Sequence, residues 1–347
     1  MPSPLGNEAL GTYTTLRLGG PAGTLTVATE TDEAVATVRN AYATGSPLLI
    51  LAGGSNVVVG DAGFAGEVLL LRTRGIEVVR ARPESVVLRV AAGEVWDDFV
   101  EYAVTNGWSG VECLSGIPGS TGATPIQNVG AYGQEVAHTI VAVHAYDREH
   151  GTIRAMTPAE CGFAYRSSVF KHNDRYLVTH VDFRLEVSDE SAPIRYAELA
   201  RSLGANPGDR VALRQARDTV LKLRAGKGMV LDPDDKDTWS VGSFFTNPVL
   251  PAERWTALAL DAPHWPADDG TVKIPAAWLI ERAGFPKGYP GSAGTVAIST
   301  KHTLALTNRG AGTTAALLSL ARTIRDGVQA RFGIELHPEP VLVNCTL

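Results

Sequence analysis

The sequence predicts an α+β protein built from more than one domain. Three observations carry this. Strand-like alternation and helical apolar spacing are interleaved along the chain rather than segregated. Composition shifts near residue 204 and again at Asp232-Pro233-Asp234-Asp235-Lys236-Asp237, an acidic turn that reads as an exposed domain joint. The length of 347 residues allows two or three domains.

In chain order, the first unit reads as βαβ. Leu25 to Thr29 is a short strand, and Thr31 is placed as the N-cap of a helix with an apolar face of Val35, Val38 and Tyr42. Gly45 ends that helix and Pro47 blocks its continuation. Leu48 to Ala52 reads as a buried strand that empties into Gly53-Gly54-Ser55-Asn56 before Val57 to Val59. From residue 67 to about 112 the chain is β-rich, with strands at 67–71 and 85–91. One helix there has the face Trp96, Phe99, Val100 and Ala103. Strand-like runs recur at 139–146 and 176–183. The stretch 211–223 reads as a helix whose Arg214, Arg217 and Lys222 form a basic stripe, ordinarily a solvated face and alternatively an offset to the acidic total near an anionic ligand. Beyond the acidic turn come a helix at 276–283, weak strands at 295–299 and 303–307, and a last helix from Thr314. Its face is Leu317, Leu320, Ala321, Ile324 and Val328, and Gly333 stops it.

Bulk numbers exclude several classes of function. The chain is 44% hydrophobic and 20% charged with a net charge of −6, so no basic field calls for nucleic acid or an anionic membrane. No apolar run reaches the ~20 residues that cross a bilayer, and the first residues show no signal-peptide pattern. Cys113, Cys161 and Cys345 are widely spaced and read as reduced cytosolic thiols. The eight histidines form neither HxH nor HExxH, so no catalytic metal is expected.

The densest signal is the run from Ser115 to Gly133. It reads Ser115-Gly116-Ile117-Pro118-Gly119-Ser120, then Gly122-Ala123, Gln127-Asn128 and Gly130-Ala131-Tyr132-Gly133. So many glycines suit either a tight-turn loop or a wall of exposed backbone moulded to a cofactor. Gly53 to Asn56 likewise suits a hairpin turn or a diphosphate seat. It is neither GxGxxG nor a P-loop. Three polar islands stand in apolar company. Arg166, beside Tyr165, needs an acidic partner in the protein or in a ligand. Ser243 lies between Gly242 and Phe244-Phe245, outside any GxSxG elbow. Glu339 sits in His337-Pro338-Glu339-Pro340, just before an apolar terminal strand.

Taken in order, Gly53-Gly54-Ser55-Asn56, the 117–133 run, Tyr165-Arg166-Ser167-Ser168, Gly242 to Pro248 and Pro338-Glu339 resemble the UDP-N-acetylenolpyruvoylglucosamine reductases in their long form. The match spans about residues 12–345. The resemblance implies an FAD-binding fold of the vanillyl-alcohol-oxidase-like type, with two α+β subdomains at 1–72 and 73–225. The terminal strand 334–347 would join the second, and a separate α+β substrate domain would span 226–333. It implies FAD and NADPH as cofactors, UDP-N-acetylglucosamine-enolpyruvate as a small-molecule partner, and a cytoplasmic monomer with no nucleic acid, membrane or metal. Gly53 to Asn56 and the 115–133 wall would hold FAD. Ser243 matches the proton donor, and Arg166 and Glu339 match the residues that polarise the enolpyruvyl carboxylate. Tyr165, Asn247 and Lys273 would touch substrate. Tyr196 resembles the tyrosine of a mobile loop, and Lys227 joins the substrate set although Met229-Val230-Leu231 separates it from the Asp-Pro turn. These types suit reduction of an enol ether, where hydride at one carbon leaves enolate charge to be stabilised and a proton to be delivered. The alternatives are an FAD-dependent alcohol or sugar oxidase of the same fold and a non-catalytic UDP-sugar sensor. Oxidases often tether flavin through His or Cys, and the 115–133 wall has neither.

Overall fold

The computed structural model describes residues 8–267 and 269–347, and the chain divides into two compact units. The first comprises Ala22–Gly54 and Phe64–Val230; the second comprises Ala9–Pro21, Ser55–Gly63 and Leu231–Leu347. Among the described residues no helix is long and apolar enough to cross a membrane.

The first unit opens with the expected βαβ pattern. Strands Ala22–Ala28 and Leu48–Leu51 both pair in parallel with Phe64–Leu71, which is central. Helix α1 (Thr31–Thr44) starts from Glu30 rather than Thr31. Glu30 has extended backbone, and the Glu33 carboxylate reaches back to its N–H, closing a capping box. The buried face is Ala34, Val38 and Ala41, while Tyr42 is 57% exposed. The small alanines allow close packing, so the ring expected inside turns to solvent.

An antiparallel sheet follows, in the order 152–156, 140–147, 176–187, 85–91 and 76–81. Helix α2 (Trp96–Thr105) covers it with the expected face. Trp96, Phe99 and Val100 are fully buried, and Trp96, Phe99 and Phe183 stack with centroids 5.0–5.8 Å apart. Burying each such side chain contributes about 1.5–3 kcal/mol. Strand Ile76–Ala81 escapes the sequence reading because its residues are largely exposed and show no alternation. Three further helices complete the unit: the single turn α3 (Pro158–Cys161), α4 (Ala197–Leu203) and α5 (Leu213–Gly226).

The basic stripe on α5 is solvated at Arg214 and Lys222, as expected, but not at Arg217. Arg217 is 4% exposed and donates to both oxygens of Asp97 and to Glu101, both on α2. Arg214 also bonds Glu101. Removing one partner of a buried pair like Arg217–Asp97 costs roughly 3–5 kcal/mol because the other charge is stranded.

The second unit carries α6 (Ala252–Leu258), α7 (Ala276–Arg282) and α8 (Thr314–Phe332) with short sheets. All five apolar residues expected on α8 are buried, packed with Leu16, Leu18, Phe244, Phe245, Leu279 and Ile280. The sequence reading joined the terminal strand to the 73–225 region. Its hydrogen bonds instead run to Val57–Val59, in parallel with Val341–Val343. The acidic turn is only partly exposed. Asp237 is 6% exposed and bonds Arg309 and Thr300, because a turn that closes on itself can bury the carboxylate that finds a cation. The three cysteines are free, and burial pushes the Cys161 thiol up to about 12.

Candidate active site

The glycine-rich wall is less bare than its composition suggests. Trp96 N–H donates to Gly119 O, Thr121 N–H to Glu94 O and Gly122 N–H to Ala92 O, so the middle of the run is stitched to the start of α2. Gly116 N–H donates to Asp97 Oδ1 at 2.6 Å. These bonds position the run rather than leave it open to any ligand. Glycine is required where backbones meet. A Cβ on Gly53 would lie 2.4 Å from Gly119 Cα, and one on Gly122 would lie 2.4 Å from Ala92 Cβ. The first of these contacts joins the two segments expected to hold FAD.

Tyr165 and Arg166 are tied to this wall. Arg166 has φ of +53°, and its Nη2 donates to Gly130 O at 2.9 Å. Asn128 Nδ2 donates to Ala164 O and to Glu135, and Ser168 Oγ donates to Ile126 O. A left-handed arginine held from both sides has little rotational freedom, which suits a fixed cation. Tyr165 is 39% exposed under the Arg166 guanidinium, 5.3 Å from its ring centre.

In the second unit the structure joins Ser243 and Glu339 through backbone. Ser243 bridges Ala305, Phe244 N–H donates to Leu304 O, and Glu339 N–H donates to Phe244 O at 2.9 Å. Thr246 N–H donates to His337 O. Val341 N–H donates to Asn56 O, and Asn56 Nδ2 reaches Glu339 O at 3.5 Å. Ser243, Glu339 and Asn56, far apart in sequence, are thus strung on one hydrogen-bonded strip. Both Ser243 and Glu339 are half-buried. Asn247 has a local task as well: its Oδ1 accepts the N–H of Ala276 at the start of α7. Lys273 lies on the strand Thr271–Lys273, paired with Val249 and Trp265.

Tyr132, Tyr196 and Lys227 come together in the first unit. The two tyrosine rings meet edge to face at 5.4 Å, and Lys227 Nζ lies 5.5 Å above the Tyr132 ring. Tyr196 precedes α4 and is 46% exposed. Lys227 closes α5 and bonds Glu198.

Two supporting residues escaped the sequence reading. Asp97, gripped by Arg217, holds Gly116. Glu112, with no exposed surface, accepts N–H groups from Gly110, the Gln134 side chain and Ala192 at 2.6–3.0 Å. It fastens the chain flanking the wall to the segment leading to Tyr196. An acid inside Val111-Glu112-Cys113-Leu114 was the available signal, since a buried carboxylate must find donors. One acidic group elsewhere, Asp147, Glu149 and His150, has metal-like spacing, but Arg175 bonds both Asp147 oxygens and fills the cation's place.

The wall suits FAD on its own evidence. Among the described residues, the buried Ser120 Oγ and Thr121 Oγ1 have no hydrogen-bond partner. Hydroxyls in that state call for a polar partner that the described residues do not supply. At Gly53 and Gly119 backbone meets backbone with no room for a side chain. Residues 22–157 match the family model described as FAD binding domain, and 232–343 match UDP-N-acetylenolpyruvoylglucosamine reductase, C-terminal domain. The chain is 61% identical to the UDP-N-acetylenolpyruvoylglucosamine reductase of Salinispora arenicola, over 97% of this chain and 95% of that one. It is 54% identical to that of Saccharopolyspora erythraea, over 99% and 97%. The crystal structure of the Thermus caldophilus UDP-N-acetylenolpyruvylglucosamine reductase superposes with a TM-score of 0.69 at 25% identity, covering 99% of this chain and all of that one. The expected α+β FAD-binding fold is therefore the observed one. With identity above 50% running nearly the length of the chain and of its relatives, this protein belongs to the UDP-N-acetylenolpyruvoylglucosamine reductase family.

Proposed function

We propose that the chain reduces UDP-N-acetylglucosamine-enolpyruvate to UDP-N-acetylmuramate, a peptidoglycan precursor, with NADPH as the reductant. FAD, when bound along the 115–133 wall, supplies the hydride chemistry between NADPH and the methylene carbon of the enolpyruvyl group. Gly53 and Gly54 would let backbone approach its diphosphate. Arg166, fixed by Gly130, would neutralise the enolpyruvyl carboxylate, and Glu339, as the protonated acid, would donate a hydrogen bond to the same side as charge develops there. Ser243 Oγ would give its proton to the carbon next to the methylene and recover one from solvent. The backbone strip that joins Phe244 to Glu339 would fix the spacing of donor and acid. Tyr165, Asn247 and Lys273 would orient the sugar nucleotide, and Tyr196 with Lys227 its diphosphate. A nucleotide-activated sugar and NADPH are cytoplasmic reagents, so the reading implies a cytoplasmic enzyme that acts on a small molecule.

The observation that supports this reading is the backbone hydrogen bond from Glu339 N–H to Phe244 O, which ties the segment carrying Ser243 to the segment carrying Glu339. Ser243→Ala is expected to keep its FAD and its bleaching by NADPH. Reoxidation of the reduced protein by the enolpyruvyl sugar nucleotide should slow roughly 10²–10⁴-fold, the scale of lost general acid catalysis. Stopped-flow reoxidation at the wild-type rate would refute the role.

A further inference from the structure

Lys227 is already taken. Its Nζ lies 2.5 Å from Glu198 Oε2, on the first turn of α4, two residues after Tyr196. The pair is half-exposed, with about a third of each side chain open to solvent (32% and 37%). Burial alone would lower the Lys227 pKa, but the Glu198 bond outweighs it and the ammonium is held above its ordinary value. Arg224, one turn earlier at the end of α5, is a second cation in the same cluster. Its Nη2 donates to Met229 O, while its buried Nε has no partner among the described residues. Both cations and Glu198 act on the Tyr132 hydroxyl. A Cβ on Gly133, at the end of the wall, would meet Arg195 Cβ at 2.9 Å, so the segment carrying Tyr196 and Glu198 packs on the wall. The cluster therefore holds two cations, Glu198 and an orphaned guanidinium nitrogen, with Asp97 a further carboxylate acting on Arg224. The unpartnered nitrogen beside a partly solvent-open ion pair favours an incoming anion there.

We propose that Glu198 is a resident competitor for the substrate's diphosphate: it occupies Lys227 in the free protein and must release it before the sugar nucleotide binds there. The proposal rests on the reading of Lys227 as a substrate ligand. Glu198 keeps two neighbouring cations from facing each other uncompensated. It also sets a threshold, because a doubly charged diphosphate displaces a single carboxylate more readily than a weaker anion does. Its position beside Tyr196 couples that exchange to the segment on which the tyrosine sits.

The test uses the intact FAD-loaded protein. UDP serves as a non-reacting probe, titrated by flavin difference spectra, and KM is measured for the enolpyruvyl sugar nucleotide. Glu198→Gln should lower both the UDP Kd and KM roughly two- to fivefold, the range a half-exposed ion pair supports. Lys227→Met should raise both roughly ten- to hundredfold, as for loss of a charge-assisted hydrogen bond. In the Lys227→Met background, Glu198→Gln should have no further effect, because the competition it relieves is gone. If Lys227→Met weakens binding but Glu198→Gln leaves it unchanged or weakens it too, the competitor role is overturned and the ligand role of Lys227 stands. If Lys227→Met leaves UDP binding untouched, the ligand role itself fails and the competition with it. Thermal melts of the Gln and Met variants within a few degrees of wild type separate these outcomes from misfolding.

Discussion

Gly53 shows how much rests on a missing side chain. Its α-carbon approaches Gly119 so closely that a methyl group would sit 2.4 Å from the Gly119 Cα, and both positions are backbone that cannot rotate away. Gly53→Ala should separate the two segments and loosen the cofactor seat. The purified variant is expected to lose most of its flavin, read as the ratio of absorbance at visible flavin bands to protein absorbance. Full wild-type occupancy would overturn the assignment of this contact. Asp182 makes a different kind of single-residue statement. Burial disfavours its charge, but bonds from His144 and bidentate bonds from Arg89 at 2.9 Å prevail and bring its pKa down to about 2. The sign follows from linkage. A carboxylate with a lowered folded-state pKa contributes stability that is present above its ordinary value near 4 and lost as pH falls from there toward 2. Asp182→Asn should therefore be less stable than wild type at pH 7, and the gap should narrow by pH 3. Denaturant midpoints at the two pH values check this, and a constant gap would contradict it.

Helix α8 shows what one element draws from chain far away. Its apolar face was legible because five residues recur at helical spacing and Gly333 ends it in a left-handed cap. Its start was not. Thr313 Oγ1 accepts the N–H of Ala316, but the first-turn N–H groups of Thr314 and Ala315 are taken by the Asp61 carboxylate at 2.7 and 2.9 Å. An anion there answers both the orphan donors and the helix dipole. Asp61→Ala should destabilise the protein by roughly 1–2 kcal/mol. Chemical denaturation would show it as a lowered midpoint with unchanged slope, and an unchanged midpoint would show that water replaces the carboxylate. Helix α4 and strand Ile76–Ala81 stayed hidden in the sequence for the opposite reason. One is seven residues long and the other is exposed along most of its length, so neither has a periodic face to read.

The second compact unit is assembled from three separate stretches of chain. Leu16, Leu18 and Val58 complete the core around α7 and α8, and Val57–Val59 is the pairing partner of Val341–Val343. Asn308 Nδ2 also donates to Leu16 O. Residues 231–347 expressed alone would lack these side chains, the Asp61 cap and the strand partner. Each lost large core side chain forfeits several kcal/mol against a total stability of about 5–15 kcal/mol. That fragment is expected to show no cooperative thermal transition and poorly dispersed amide resonances. A sharp two-state melt of the fragment would disprove the dependence.

Sequence alone determined the α+β class, the periodic faces of α2 and α8, the glycine-rich run at 115–133 and the order of the motifs that hold Arg166, Ser243 and Glu339. Each of these is written in local spacing or residue type, and local stereochemistry acts between near neighbours. Tertiary structure decided which distant groups share hydrogen bonds. It tied Arg166 to Gly130, strung Ser243, Asn56 and Glu339 on one strip, buried Arg217 against Asp97 and gave Lys227 to Glu198. Those partnerships span tens to hundreds of residues. A buried charge or donor accepts whichever complementary group the packed chain brings within about 3 Å, and spacing along the sequence carries no record of that choice.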